Sequence, residues 1–345
     1  MDNKPAVMKE TKNKIRVDFE RTSLKERLKA KYLSMYFVKN VLWYLFRLLL
    51  LIGIAFVVIQ PFITMIIQSF RAAPDFMDET VFNVPRQYSL DIYKAIFKDL
   101  RYIRMFFLTL ALSLGVALLQ TFVCCLVGYG LAKFKFRGSK IIFLFVVLTM
   151  AIPHGTLQSA IYYRFCHFDV FGLLKLMSKI GILAPKYAEG ITMANTVVPL
   201  ILLSVFGLAF KNGLYVFMLR QFFRGVPDEL EESAYLDGAN TFRTFIQVIL
   251  PISIPMMITV FLFAFCWQWT DDFYLPLFFN GTTSYMTSIT SQLPLPSITL
   301  TYKGDAAKTA MRYACGIMAC TPLAILYLFC QKYLVQGIER SGIVG

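Results

Sequence analysis

Six stretches of this chain are too long and too apolar for a water-soluble fold to hide. They cover roughly residues 45–70, 105–133, 141–163, 192–218, 252–279 and 311–334. A helix rises about 1.5 Å per residue, so about 20 largely apolar residues cross the hydrocarbon of a bilayer. Lipid offers no hydrogen bonds, so each backbone N–H and C=O must be satisfied within the segment, which selects the α-helix. Hydrophobic residues make up 57% of the chain and charged ones 16%, where soluble domains carry about a quarter charged. The expected fold class is therefore an all-α membrane protein with six transmembrane helices. Gln60-Pro61 should kink the first, and Lys211-Asn212-Gly213 interrupts the fourth.

The charges orient these spans. Net charge is +14, and Lys9, Lys12, Lys14, Arg16, Arg21, Lys25, Arg27, Lys29 and Lys31 all precede the first apolar run. No base-reading motif accompanies them, so the expected partner is anionic lipid and no nucleic acid. The flank is also too long, and too mixed with Asp18, Glu20 and Glu26, for a signal peptide. Short loops rich in Lys and Arg stay in the cytoplasm. The amino terminus and the all-positive loop 133–140 should then both lie inside, two spans apart. Continuing the count puts the segment 226–251 and the carboxyl terminus in the cytoplasm as well. Loops 71–104, 165–191 and 280–310 face outward, the first with a short helix near 89–97. The expected organisation is a basic cytoplasmic tail at 1–40, the first span and its outer loop at 41–104, a transmembrane core at 105–334 and a cytoplasmic tail at 335–345. The seven cysteines show no CxxC spacing and there are two histidines, so the cysteines read as small hydrophobes and no metal is expected.

One cytoplasmic segment stands out. Asp228, Glu229, Glu231, Glu232 and Asp237 fall within ten positions of a basic chain. Pro227 suits a first helical turn, and the early acids suit the positive end of the helix dipole. Asp228 and Glu231 have alternatively the spacing of a capping box. Leu230, Ser233, Ala234 and Asp237 share one small, lightly apolar face. Gly238 can end the helix, and a second helix should run over 241–249 until Pro251 opens the fifth span. On charge alone, the patch reads as a solvated, capped loop helix.

The order of its residues says more. Glu232-Ser-Ala-x-x-x-Gly238, nine residues, then Val248-Ile-Leu250-Pro251 resembles the EAA loop of ATP-binding-cassette import permeases, with Ser233 and Val248 as mild departures. The stretches 61–71, 128–138 (GYGLAKFKFRG), 218–224 (MLRQFFR) and 331–337 (QKYLVQG) are similar to carbohydrate-uptake permeases, in particular to the smaller maltose-type subunit. The similarity covers about residues 45–345, with 168–189 longer than the usual pattern. The resemblance implies a type I importer permease fold in a bacterial plasma membrane. It implies as partners a second permease, two ATPase subunits and an extracytoplasmic solute-binding protein. Glu231, Glu232, Ser233, Ala234, Asp237, Gly238, Leu250 and Pro251 would form the coupling element, Glu232 meeting a basic ATPase residue. No GxxxxGK[ST] stretch occurs in the chain, so ATP and Mg would be held by the partners, this chain would bind no cofactor, and it would not itself be an enzyme.

Near the outer end of the fifth run, Trp267, Gln268, Trp269, Asp271, Asp272 and Tyr274 combine aromatic faces with amide and carboxylate groups. Sugars need that combination, with C–H faces on rings and hydroxyls on polar groups. The same residues suit an aromatic belt at the outer interface equally well. Two other functions fit part of the pattern: a permease for a non-sugar solute, and an ion-driven secondary transporter using Asp271 and Asp272.

Overall fold

The computed structural model describes residues 8–11, 14–17, 35–78, 80–81, 84–170, 172–184, 186, 189–279 and 304–342, with backbone alone for 8–17, 36 and 335–342. Most of the expected tail 1–40, the greater part of the outer loop 280–310 and the final residues 343–345 lie outside the described residues. Two compact units emerge, residues 1–64 and 65–345.

In the first unit, β1 (Met8–Thr11) and β2 (Lys14–Val17) pair antiparallel. The expected all-α chain thus carries one short hairpin in its basic tail. Helix α1 (Met35–Ser69) crosses the boundary and continues through Pro61. Leu42, Leu51, Ile52, Val57 and Val58, on all sides of it, are exposed, the all-round apolar surface of a helix that meets lipid.

The second unit begins with a tied-down loop. Asp75 is buried and its carboxylate accepts the backbone N–H of Arg86 (2.7 Å) and of Gln87 (3.0 Å). The Arg71 guanidinium donates to the carbonyls of Asp75 and of Val81, the latter at 3.1 Å. Helix α2 (Asp91–Asp99) follows close to the expected position, and its Tyr93 hydroxyl donates to Ser69 Oγ at 2.7 Å.

Helix α3 (Tyr102–Lys133) is the centre of the unit. After it come α4 (Ser139–Ala151), α5 (His154–Cys166), α6 (Leu173–Lys179), α7 (Val198–Val205), α8 (Asn212–Arg224) and α9 (Glu229–Leu236). The chain continues as α10 (Thr241–Trp269), α11 (Tyr274–Phe278) and α12 (Asp305–Gly342). The core joins Cys124, Cys125 and Tyr129 of α3 to Leu219 and Phe223 of α8, Met256 and Val260 of α10, and Met311 and Cys315 of α12. Small residues let helices approach closely in lipid, where dispersion rather than water expulsion holds them together. Gly128 does this for α3 and α8: a Cβ there would sit 2.9 Å from Leu219 Cβ and 3.1 Å from the Arg220 amide nitrogen. Gly213 does the same for α8 and α4, where a Cβ would lie 2.8 Å from the Val146 carbonyl oxygen.

Four helices among the described residues are long and apolar enough to span a membrane: Phe37–Ser69, Tyr102–Lys133, Thr241–Trp269 and Asp305–Leu334. They answer to the first, second, fifth and sixth apolar runs. The third run is broken. Helices α4 and α5 meet at a bend of 103°, because Pro153 has no N–H to donate and its ring pushes Ile152 out of helical geometry. Counted as one broken span, the pair makes a fifth. The fourth run is no continuous helix either. Gly207 (φ 68°) and Lys211 (φ 65°) are left-handed, and α7 and α8 are 8 and 13 residues long, each too short to cross alone.

Pro251, expected to mark the entry to the fifth span, interrupts nothing. The helix runs unbroken from Thr241 to Trp269. A π-helical turn over Phe245–Ile249 lies directly ahead of it. Its wider winding gives the proline ring room where an α-turn would drive it into the carbonyl four residues back. At the other end the helix stops at Trp269, ten residues before the apolar run does.

Candidate functional site

The acidic helix α9 has two unlike faces. Glu231 and Ala234 are buried, while Glu229, Leu230, Glu232, Ser233, Tyr235, Leu236 and Asp237 are exposed. The single face expected from Leu230, Ser233, Ala234 and Asp237 is thus divided. Ala234 packs inward, and Ser233 and Asp237 join Glu232 on the outer side. Leu236 is 89% exposed at the helix end, a large apolar side chain left in the open beside acids.

The inner face is fastened by a residue that sequence reasoning treated as a topological flank. Lys133, at the end of α3, is 6% exposed in its side chain. Its ammonium donates to the Val226 carbonyl (2.6 Å) and to Asp228 Oδ1 (2.5 Å), and lies 3.7 Å from Glu231 Oε1. The possible capping box is not formed, because Asp228 gives its carboxylate to Lys133 and makes no side-chain bond to the helix amides. That hydrogen bond and the lysine's charge hold the Asp228 carboxyl below the usual carboxylate range. Burial pushes Glu231 above it; Lys133 pulls the other way and Asp228 adds to the rise. Among the described residues neither Glu231 Oε1 nor the neighbouring buried Tyr129 hydroxyl completes a hydrogen bond, although the nearness of that hydroxyl also works against the rise at Glu231. The signal for Lys133 was present in the sequence as an excess of acid at 228–232 placed on the same side as a lysine-rich loop.

The exit from α9 is built as expected at Gly238, whose φ of 80° is left-handed. The Gly238 amide donates to the Tyr235 carbonyl and the Ala239 amide to the Ala234 carbonyl, both at 3.0 Å, closing the helix end. Asn240 then caps α10, its Oδ1 accepting the Arg243 amide at 2.8 Å. Leu250 is half-buried and Pro251 exposed on the same helix.

The six residues grouped at the end of the fifth run separate into structural and open positions. Trp269 is buried and donates its indole N–H to the Ala319 carbonyl at 3.0 Å. Asp271 accepts the amides of Phe273 (3.0 Å), Tyr274 (2.8 Å) and Leu275 (3.2 Å), and Gln268 donates to it at 3.2 Å. A carboxylate at the positive end of α11 is a cap, so Asp271 and Gln268 shape the turn. Tyr274 is buried against Phe278. Trp267 and Asp272 remain open.

Both open residues lie beside cavities. A small one is walled by Gln120, Phe210, Trp267 and Asp272. A cleft of about 770 Å³ runs along the α4–α5 bend and the α7–α8 break, and Phe210, Lys211 and Asp272 line it. The Lys211 ammonium stands 4.9 Å from the ring centres of both Phe210 and Trp267, and the His154 ring is 4.5 Å from Phe210. Sequence reasoning noted Lys211 only as an interruption and did not single out His154 or Phe210.

The comparisons with known proteins agree with this architecture. Residues 125–340 match the model of the family described as binding-protein-dependent transport system inner membrane component. The arabinooligosaccharides transport system permease protein AraQ of Halalkalibacterium halodurans is 27% identical over 296 residues, 85% of this chain and 93% of that protein. Among solved structures, a bacterial ABC transporter involved in the import of the acidic polysaccharide alginate superposes with a TM-score of 0.61 at 16% identity, over 86% of this chain and 97% of its own. The bacterial alginate ABC transporter in complex with alginate pentasaccharide-bound periplasmic protein gives 0.57 at 17% identity, over 89% and 95%. The family match covers more than half of the chain, including the Lys133-anchored acidic helix and both broken segments, and the chain belongs to the inner-membrane permease components of binding-protein-dependent ABC importers.

Proposed function

We propose that the chain is one permease subunit of an ATP-driven importer that takes up a carbohydrate delivered by an extracytoplasmic binding protein. The observation that carries this reading is the two-faced helix α9. Its inner face is fastened to α3 through Lys133, and its outer face presents Glu232, Ser233, Asp237 and Leu236, all exposed among the described residues. A helix so mounted suits docking in a cleft of a partner ATPase, with Glu232 taking a charge-assisted hydrogen bond. ATPase closure would then move the spans as rigid bodies.

The finer assignments go with this reading. The chain crosses the membrane six times, with the α4–α5 pair and the α7–α8 pair each serving as one interrupted crossing, and both termini face the cytoplasm. A second permease of related fold and two ATPase subunits complete the complex. ATP and Mg are bound and used by those ATPases. The carbohydrate assignment is supported by the sugar-related names of the relatives and by the aromatic and polar lining around Trp267 and Asp272.

Proteoliposomes holding the complete importer test the reading. Saccharide uptake should require ATP, the ATPase subunits and the binding protein. Uptake by this chain alone, driven by an ion gradient, would sink it. Glu232→Lys and Gly238→Pro should leave membrane insertion intact yet lose uptake, and normal import in both variants removes the docking role.

A further inference from the structure

The cleft at the two helix breaks has a charge that the proposed function does not use. Lys211 sits at the break in the fourth apolar run, as the left-handed residue directly before α8. Among the described residues it is paired with no carboxylate; its ammonium is held over two aromatic rings, Phe210 and Trp267. Cation–π contact fixes an ammonium in place while its N–H donors remain available to an acceptor. A cation kept within an otherwise apolar run is costly and marks a functional position.

Three further features of the wall favour an anion. The first turns of both α5 and α8 line the cleft, each a helix of 13 residues. Each leaves amides without in-helix acceptors and contributes roughly half a positive charge. Broken helices at membrane depth offer such ends to the charged groups of transported solutes. Asn212, 1% exposed in this wall, has neither its side-chain N–H nor its oxygen paired, and a buried amide in that state is short of a partner. Against these stands Asp272, the single acid on the wall among the described residues. One lysine and two helix ends outweigh it by about one positive charge. The aromatic surface beside the ammonium suits the C–H face of a sugar ring.

We propose that this cleft binds a negatively charged sugar unit, whose carboxylate is taken by Lys211 while its ring rests against Phe210 on the cleft wall. The cargo class is then uronate-type rather than neutral saccharide. This rests on the carbohydrate-import reading and narrows it.

The test uses the complete importer in nanodiscs of neutral lipid, without binding protein, so that headgroup charge does not compete. The probes are trigalacturonate and its carboxyl-reduced, neutral trisaccharide. The acidic probe should bind at least about tenfold more tightly, the difference that about 1.4 kcal/mol supplies. Lys211→Met should erase that preference without weakening the neutral probe, and Lys211→Arg should keep it. Equal binding of the two probes by the wild-type importer, or binding of neither, overturns the proposal even if Lys211→Met fails to assemble. So does an unchanged preference in Lys211→Met, or displacement of the acid by equimolar inorganic phosphate, which would mark a general anion site. ATP-dependent uptake of neutral saccharide alongside failure here leaves the importer reading standing, whereas no ATP-dependent uptake of any saccharide removes both.

Discussion

Replacing Lys133 with Met removes one ammonium and keeps most of the stem that packs beside it, so it isolates the charge that fastens α9 to α3. Two acceptors lose their donor, and Glu231 loses its nearest counter-charge. Asp228 is 75% exposed in its side chain, and water replaces the lysine there at little cost. The Val226 carbonyl loses a charge-assisted bond of 2.6 Å, worth about 1.5–3 kcal/mol. Glu231 is 8% exposed and keeps a carboxylate with no counter-charge. It escapes by taking a proton, which at pH 7 costs at most about 3.7 kcal/mol for a carboxyl of ordinary pKa. Burial already raises that pKa, so the real cost is smaller. The sum is about 2–5 kcal/mol, enough to lower the equilibrium constant for seating α9 by more than tenfold. Binding-protein-stimulated ATP hydrolysis and uptake by the reconstituted importer should therefore both fall at least about tenfold, while membrane insertion persists. In Lys133→Met/Glu231→Gln the neutral amide no longer needs a counter-charge, and a coupling energy of about 1–3 kcal/mol should return. Wild-type coupling in Lys133→Met, or a double variant no better than the single one, refutes this account of the helix mount.

Other consequences can be read with the same preparations. Gly128→Ala should lower the thermal midpoint of the assembled importer by the equivalent of about 1–3 kcal/mol, because its Cβ meets Leu219 and Arg220. Gly115→Ala on the same helix meets nothing within 4 Å and should be neutral or slightly stabilising. Asp271→Asn keeps the size of the cap but loses its charge against the first-turn amides of α11, with an expected loss of about 1 kcal/mol seen in the same melting measurement. The two anchoring acids respond oppositely to pH. The stability that Asp228 adds is present above the usual carboxylate range and is lost as pH falls through its lowered value. The stability linked to Glu231 is present below its usual value and is lost as pH rises through its raised one. The α9 mount should be firmest between those two values, and acidifying from neutrality into that window should raise the melting temperature of wild type more than that of Glu231→Gln.

How much of this was legible depended on what kind of information each residue carries. Apolar length is written directly in the sequence, so the first, second, fifth and sixth spans were found near their observed positions. Continuity is not. Ile152-Pro153 and Gly207 to Lys211 sit inside runs as apolar as the others, and one proline and two left-handed residues decide that the helices break there. The acidic helix was legible because its end signals are local: Pro227 before it, Gly238 after it. Its partner was not, since Lys133 is 95 residues from Asp228, and a lysine at the end of a span has the same sequence appearance whether it meets water or a carboxylate. Asp271 misled for a related reason. An acid in an apolar run reads as chemistry, yet three backbone amides of the next short helix consume it.

Those two kinds of feature, the broken runs and the mounted helix, are joined by one element. Helix α8 begins at the cleft with Asn212 and ends at Arg224, four residues before Asp228 opens the turn into α9. Its 13 residues span about 20 Å. Along that length it is gripped by α3, where Gly128 brings the backbones together and Arg220 donates to the Leu131 carbonyl at 3.2 Å. It is gripped by α4 at Gly213 and at Phe143, whose ring lies 3.8 Å below the Arg220 guanidinium. A rod so held cannot flex separately from its neighbours, because close-packed side chains transmit displacement rather than absorb it. Ahead of it, by contrast, Gly207 and Lys211 are left-handed and break the helix. On the proposed reading, a push on α9 would reach Lys211 and the cleft as movement of a stiff unit about that break. The break that interrupts the fourth run as a span would, on the importer reading proposed above, let work done on α9 arrive at the cleft.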